Sequence, residues 1–221
     1  MPTTIIPTGI AAIDEALILG GIPGGHITEL LGEESTGKSW LTLRIIASAQ
    51  QAGKVCMLLD TEGAFDACWA TKNGVDTTAL VVVRPSTMEQ TRCIIDEALF
   101  GRCCDVLVID SLDGLAVRQA GKSIITPFYT FLPHLHTLVE ALGTVCVVTN
   151  HLTVHNGVPT SFANDLMREY ATIRATLARI ISDDSGESAD TAGIDLRLRV
   201  RRHNLAPHTL GEALFRIQFN K

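Results

Sequence analysis

Gly32-Glu33-Glu34-Ser35-Thr36-Gly37-Lys38-Ser39 follows the spacing G-x-x-x-x-G-K-[ST]. Glycines at both ends of such a loop let the backbone turn until successive N–H groups point inward as an anion nest. A lysine after the second glycine reaches the β- and γ-phosphates of a nucleoside triphosphate, and the hydroxyl that follows ligates Mg²⁺. Lys38 and Ser39 occupy those two positions. Such a loop works only between a strand and a helix. Ile27-Thr28-Glu29-Leu30-Leu31 is a short β-prone run before it, and Ser39 to Ala52 reads as a helix stopped by Gly53.

Two carboxylates complete the expected chemistry. Asp110 ends the apolar run Asp105-Val106-Leu107-Val108-Ile109-Asp110, a place from which it can orient the Mg²⁺ hydration shell. Glu62 lies just past the next β-prone run, Lys54–Leu59. In open α/β sheets ligands sit outside the carboxyl ends of the strands, so Lys38, Glu62 and Asp110 should converge there. A carboxylate in the place of Glu62 can polarise the water that attacks a γ-phosphate.

The elements that must hold these groups alternate in type. Helical patterns cover Ala64–Lys72, Met88–Phe100 and, despite Pro133, Phe128–Leu142; strand patterns cover Leu80–Arg84 and Thr144–Thr149. Residues 112–127 read as irregular and Asn150 to about Asn164 as a polar stretch. Beyond it, Ile173–Ile181 and Ile194–Arg202 alternate around a polar hairpin loop, Ser182–Ala192, and Glu212–Gln218 reads as a third strand. The fold class that follows is α/β: a mostly parallel central sheet flanked by helices, with a C-terminal antiparallel extension, in one domain spanning residues 1–221.

Composition narrows the setting. The net charge of −6 does not advertise a polyanion partner, but it is uneven: residues 1–150 carry −7 and residues 151–221 carry +1. Any polyanion site therefore belongs to the last third or to a local patch. Six cysteines without a C-x-x-C pair read as buried thiols rather than disulfides or zinc ligands. No signal-like or membrane-spanning segment is evident, which points to an intracellular protein, cytoplasmic or nuclear.

Opening with PTGIAAIDEALILGGIPGGHITELLGEESTGKS and continuing through DTEGAFD, DVLVIDS and VVTNH, the sequence resembles the RecA-type strand-exchange ATPases and their eukaryotic and archaeal relatives. The resemblance spans nearly the whole chain and is closest over the first 115 residues. It implies a RecA-like P-loop NTPase using ATP and Mg²⁺, with Glu62 as catalytic base. It also implies that Asp66 contacts the adenine amino group and that Trp69, a tyrosine in the bacterial enzymes, stacks on the adenine. Read without the family, Trp69 is a core aromatic.

Where bacterial recombinases carry a glutamine that senses the γ-phosphate, this sequence has His151, and TNH is similar to some recombinase paralogues. The family's two loops for single-stranded DNA would fall near Ala116–Pro127 and Leu152–Asp165; the first offers Arg118 and Lys122, the second no Lys or Arg. In Arg197-Leu198-Arg199-Val200-Arg201 the arginines share one face and Leu196, Leu198 and Val200 the other, as on a solvated edge strand. The resemblance adds that Arg201 or Arg202, with His203 ahead of Pro207, would reach the γ-phosphate of a neighbouring subunit.

These readings lead to an ATP-binding, ATP-hydrolysing protein of homologous recombination or DNA repair. The expected partners are ATP, single-stranded DNA and recombinase or paralogue subunits in an oligomer, with no membrane. His151, the weakly basic loops and a sequence that starts close to the ATPase core favour a paralogue or accessory subunit. A self-assembling strand-exchange recombinase and a RecA-fold ATPase outside recombination, a clock- or helicase-type motor, remain the alternatives.

Overall fold

The computed structural model describes residues 4–117, 124–155, 158–180, 193–206 and 210–218. Its elements run β1 (Ile5–Ile6), α1 (Ala11–Ala16), β2 (Ile22–Pro23), β3 (His26–Gly32), α2 (Lys38–Gln51), β4 (Cys56–Asp60), α3 (Ala67–Lys72), β5 (Leu80–Val83), α4 (Met88–Phe100) and β6 (Val106–Asp110). They continue with α5 (Leu112–Val117), α6 (Phe128–Leu142), β7 (Val145–His155), β8 (Val158–Ser161), α7 (Asn164–Tyr170), β9 (Ala171–Arg179), β10 (Gly193–His203) and β11 (Glu212–Gln218). β1 and β2 form a small antiparallel pair, and the main sheet has the order β11-β10-β9-β3-β7-β6-β4-β5, with β8 paired to β7.

Strands β9, β3, β7, β6, β4 and β5 are mutually parallel, while β10 and β11 pair antiparallel at one edge. The expected class is therefore the observed one. Parallel strands covered on both faces read as continuous apolar runs, which is why Cys-Met-Leu-Leu in β4 and Val-Leu-Val-Ile in β6 are buried throughout. Successive residues serve opposite cores: Val106 and Val108 pack with Leu41, Ile45 and Ile46 of α2, whereas Leu107 and Ile109 pack with the α4 and α6 side.

Several expectations need correction. Residues 112–117 form α5 rather than irregular chain, and residues 118–123, with Arg118 and Lys122, lie outside the described residues. The polar stretch after Asn150 is a hairpin: β7 continues to His155 and returns as β8, with Leu152 opposite Ser161 and Thr153 opposite Thr160. α7 follows, anchored by buried Leu166 and Met167. β9 is not part of an edge extension but sits parallel beside β3, and the antiparallel part begins at β10. The expected loop over 182–192 lies outside the described residues.

Three cysteines, Cys56, Cys104 and Cys146, are buried as expected, but Cys68, Cys93 and Cys103 are exposed, and all six are free thiols. Burial pushes the Cys56 and Cys104 thiols up to about 12. No described helix is long and apolar enough to cross a membrane.

Candidate active site

Sheet register sets the site before any side chain is considered. Gly32, the last residue of β3, pairs with His151 on β7, and Asp60, the last of β4, pairs with Asp110, the last of β6. With β6 also parallel to β7, these strands deliver their carboxyl ends to one edge of the sheet.

The phosphate loop leaves β3 at Gly32 and enters α2 at Gly37, which has φ +86°. Both glycines are required by space. A Cβ on Gly32 would lie 2.4 Å from Thr36 Oγ1 and 2.7 Å from the Leu177 carbonyl, and one on Gly37 would lie 2.8 Å from Leu196 Cδ1. Within the loop the Thr36 hydroxyl donates to the Glu33 carbonyl at 2.8 Å. α2 has no side-chain cap, so its first N–H groups face the loop interior, the arrangement that binds phosphate.

Lys38 is 5% exposed and folds back to donate from Nζ to the Gly32 and Glu33 carbonyls at 3.0 and 2.8 Å. Burial lowers its pKa, and the nearby carboxylates of Asp110, Asp113, Glu62 and Glu34 pull it back up. A buried ammonium held only by carbonyls has room for an anionic partner. Asp110 accepts from the Thr149 hydroxyl at 2.5 Å and is also hydrogen-bonded by Ser39. Burial raises its pKa, which those two hydrogen bonds oppose. A hard cation favours oxygen donors of this kind, so Ser39 and Asp110 fit the Mg²⁺ role their sequence positions imply.

Glu62 is held on the loop after β4. Buried Asp60 organises that loop by accepting from the Ala64 and Phe65 N–H groups and, at 2.7 Å, from Arg84 Nε. Ser111, fully buried, donates its hydroxyl to Glu62 Oε1 at 2.5 Å, and Thr61 bridges to both ends of Ser111 through its own hydroxyl. His151 Nδ1 lies 3.7 Å from Glu62 Oε1 and 2.5 Å from Asp113 Oδ2.

A cavity of about 410 Å³ joins these groups, with Lys38, Ser39, Glu62, Asp110 and His151 on its polar side. Its apolar side includes Trp40, Trp69, Leu196 and Ile217. Both tryptophans of the chain thus border it, Trp40 stacked on Phe215 with ring centroids 6.0 Å apart. The uncapped helix end, the glycine cradle, the buried ammonium and the aromatic wall fit a nucleotide with its magnesium.

Asp66 is exposed and caps α3, its Oδ1 accepting from the Cys68 and Trp69 N–H groups at 2.7 and 3.0 Å; it is not among the cavity residues. Leu196, Leu198 and Val200 are buried and the arginines between them face outward, as their alternation implied. Arg197 and Arg199 both engage Glu212, so that face is partly neutralised. A bulge between Val200 and Arg202 shifts the register, leaving Arg201 exposed. Arg201 donates to Thr176 Oγ1 at 3.1 Å and borders a groove along Glu33–Thr36. Arg202 turns instead to Asn204 Oδ1 at 2.7 Å. His203 is buried, its Nε2 paired with the Leu17 carbonyl at 3.0 Å and its Nδ1 accepting from the Ala206 N–H, so it pins β10 to the chain after α1.

Sequence reasoning missed Thr149, Ser111, Asp113, Trp40 and Arg179. Arg179 closes the loop by donating to the Ser35 carbonyl at 2.9 Å. Thr149 and Ser111 lie inside VVTNH and DVLVIDS, and a polar residue at the carboxyl end of an apolar strand was the available signal.

A family model described as the RecA N-terminal domain matches residues 2–123. The chain is 34% identical to Protein RecA of Nocardia farcinica over 220 residues, covering 93% of this chain and 63% of that one. It is also 34% identical to Protein RecA of Mycolicibacterium vanbaalenii over 234 residues, covering 100% of this chain and 66% of that one. The same identity holds over 220 residues for Protein RecA of Rhodococcus jostii, 93% of this chain and 63% of the relative. The chain thus spans just under two thirds of the length of these relatives. The phosphate loop, the strand-end carboxylates and the parallel sheet agree with both comparisons: the chain belongs to the RecA family.

Proposed function

We propose that this chain binds ATP with Mg²⁺ on the Gly32–Ser39 loop and hydrolyses it, acting in homologous recombination or DNA repair as a paralogue or accessory factor. The observation that carries this reading is the convergence of Lys38, Ser39, Glu62, Asp110 and His151 on one cavity with an aromatic wall. Lys38 and the α2 N–H groups would hold the phosphates. Ser39 and Asp110 would hold the metal, which when bound neutralises charge on the phosphate oxygens. Glu62, oriented by Ser111, is placed to take a proton from the attacking water. Trp69, on the cavity lining, would stack on the base, and Asp66, which caps the same helix, would contact its amino group.

His151 begins the outer half of β7, which runs on into the β7–β8 hairpin. Nucleotide state would pass along that strand to single-stranded DNA or a partner subunit. Residues 152–165 contain no Lys or Arg, which favours a partner-binding or weak DNA-binding role over a strongly basic DNA groove. Arg201, exposed beside the loop, is available to a neighbouring subunit as a cation for developing phosphate charge.

The 34% identity to Protein RecA of two bacteria keeps a self-assembling recombinase as the second reading. Electron microscopy with single-stranded DNA and a non-hydrolysable ATP analogue, beside steady-state ATP turnover, separates the two. Turnover with monomers or small assemblies supports the accessory role, continuous helical filaments support the recombinase, and no turnover under any condition overturns the ATPase.

A further inference from the structure

Among the described residues, one of the two ring nitrogens of His151, Nδ1, has polar partners. Nδ1 lies 2.5 Å from Asp113 Oδ2 and 3.7 Å from Glu62 Oε1. Carboxylates accept, so the network assigns the proton to Nδ1. Nε2 is left as the nitrogen open to a further partner, an acceptor in the neutral ring and a donor in the charged one. His151 borders both the nucleotide cavity and a groove that runs past Thr61, Gly114, Leu152 and Thr153 toward the hairpin.

Asp113 stands in the first turn of α5 with one of its two carboxylate oxygens, Oδ1, buried and unpaired among the described residues, an arrangement that destabilises a fold. It sits on α5 beside Gly114, where a Cβ would come within 2.5 Å of Thr61 Oγ1 and 3.1 Å of Glu62 Cγ. α5 is thus pressed against the loop that carries Glu62. The Asp113 side chain is partly exposed, and its contact with the imidazole requires an acceptor.

We propose that Asp113 is a positioning residue: it fixes His151 as the Nδ1–H tautomer beside Glu62, so that Nε2 is the atom through which nucleotide state reaches the β7–β8 hairpin. An imidazole without such a partner exchanges tautomers and rotates about its ring torsion, presenting a donor and an acceptor in turn. A carboxylate on Nδ1 removes that ambiguity, as it does for histidines that act in metal sites and in acyl transfer. The catalytic consequence rests on the ATPase reading above; the tautomer does not.

The test is imidazole ¹H–¹⁵N correlation spectroscopy on the ¹⁵N-labelled full chain, with His151 assigned by H151Q, alongside steady-state ATP hydrolysis. In the unmodified chain His151 gives the Nδ1–H pattern. D113A loses that pattern, and kcat falls about tenfold to a hundredfold while KM for ATP stays within about twofold. D113N, whose amide oxygen still accepts from Nδ1, keeps the pattern and recovers most of kcat. An Nδ1–H pattern that survives D113A, or a kcat unchanged in D113A, overturns the proposal. So does D113N behaving as D113A does. If the unmodified chain gives the Nδ1–H pattern but never turns over ATP, the ATPase reading fails and the Asp113–His151 assignment stands.

Discussion

The cavity has two walls that are built in different ways. The phosphate wall is one continuous strand–turn–helix, with eight residues from Gly32 to Ser39 carrying the glycine cradle, the Lys38 ammonium and the Ser39 hydroxyl. The facing wall draws Glu62 and His151 from two separate segments, the loop after β4 and β7, and Asp113 of α5, which lines the neighbouring groove, contacts His151 from outside the cavity. Local chain geometry suffices to hold an anion. Responding to it needs groups whose spacing is set by sheet register and by buried polar neighbours such as Ser111 and Asp60. Binding and response can therefore be damaged separately.

The sharpest way to break the comparison is E62Q. It removes the carboxylate proposed as base and leaves the phosphate wall intact, so kcat for ATP should fall about 10²- to 10⁴-fold. ATP affinity, read by calorimetry, should hardly change; a loss of affinity in step with kcat would merge the two walls into one function.

Behind both walls lies a buried network that ties β3 to β7 and β9. Glu29, fully buried on β3, accepts from Arg174 Nε and, at 2.9 Å, from Asn150 Nδ2, and Arg174 reaches Asn164 Oδ1 at 3.1 Å. Burial pushes the Glu29 pKa up against the pull of Arg174. R174M leaves that carboxylate buried without its cation, which costs about 3–5 kcal/mol. For a chain of this size the melting temperature should drop by roughly 6–20 °C. A drop smaller than about 2 °C would mean the walls are held together by packing alone.

The smallest effect is expected on the exposed face of the antiparallel edge. Glu212 pairs with Arg197 and Arg199 on the exposed face of β10, and exposed pairs contribute roughly 0–1 kcal/mol. E212A should leave turnover unchanged and lower the melting temperature by less than about 4 °C. Altered turnover would show that the antiparallel edge takes part in the response.

The phosphate wall was legible because its chemistry and its backbone geometry reside in the same eight residues. α4 and α6 were legible to the residue, since their apolar periodicity is long and closes at Gly101 and Gly143. The facing wall was legible only in part. Asp110 ends β6, Glu62 follows the end of β4 by two residues and His151 follows the apolar part of β7, so position along the sequence alone suggests function. Asp113 carried no such signal, because a residue in a short helix containing Gly114 looks like loop. The β7–β8 hairpin was hidden by its polar content: Leu152 and Val154 alternate with Thr153 and His155 over four residues only, and Val154 is exposed, so the run is too short and too polar to stand out as a strand. β9 alternated well enough to be seen as a strand, but alternation does not say which neighbour a strand will take.

The most direct test of the central claim, that the Gly32–Ser39 loop is a nucleotide site, is calorimetric titration of ATP with Mg²⁺ into the unmodified chain and into K38A. Lys38 would contribute charge-assisted hydrogen bonds of about 1.5–3 kcal/mol. The account predicts saturable binding that weakens about tenfold to a hundredfold or more in K38A, with the melting temperature of the free protein little changed. Equal affinity in the two proteins would contradict it.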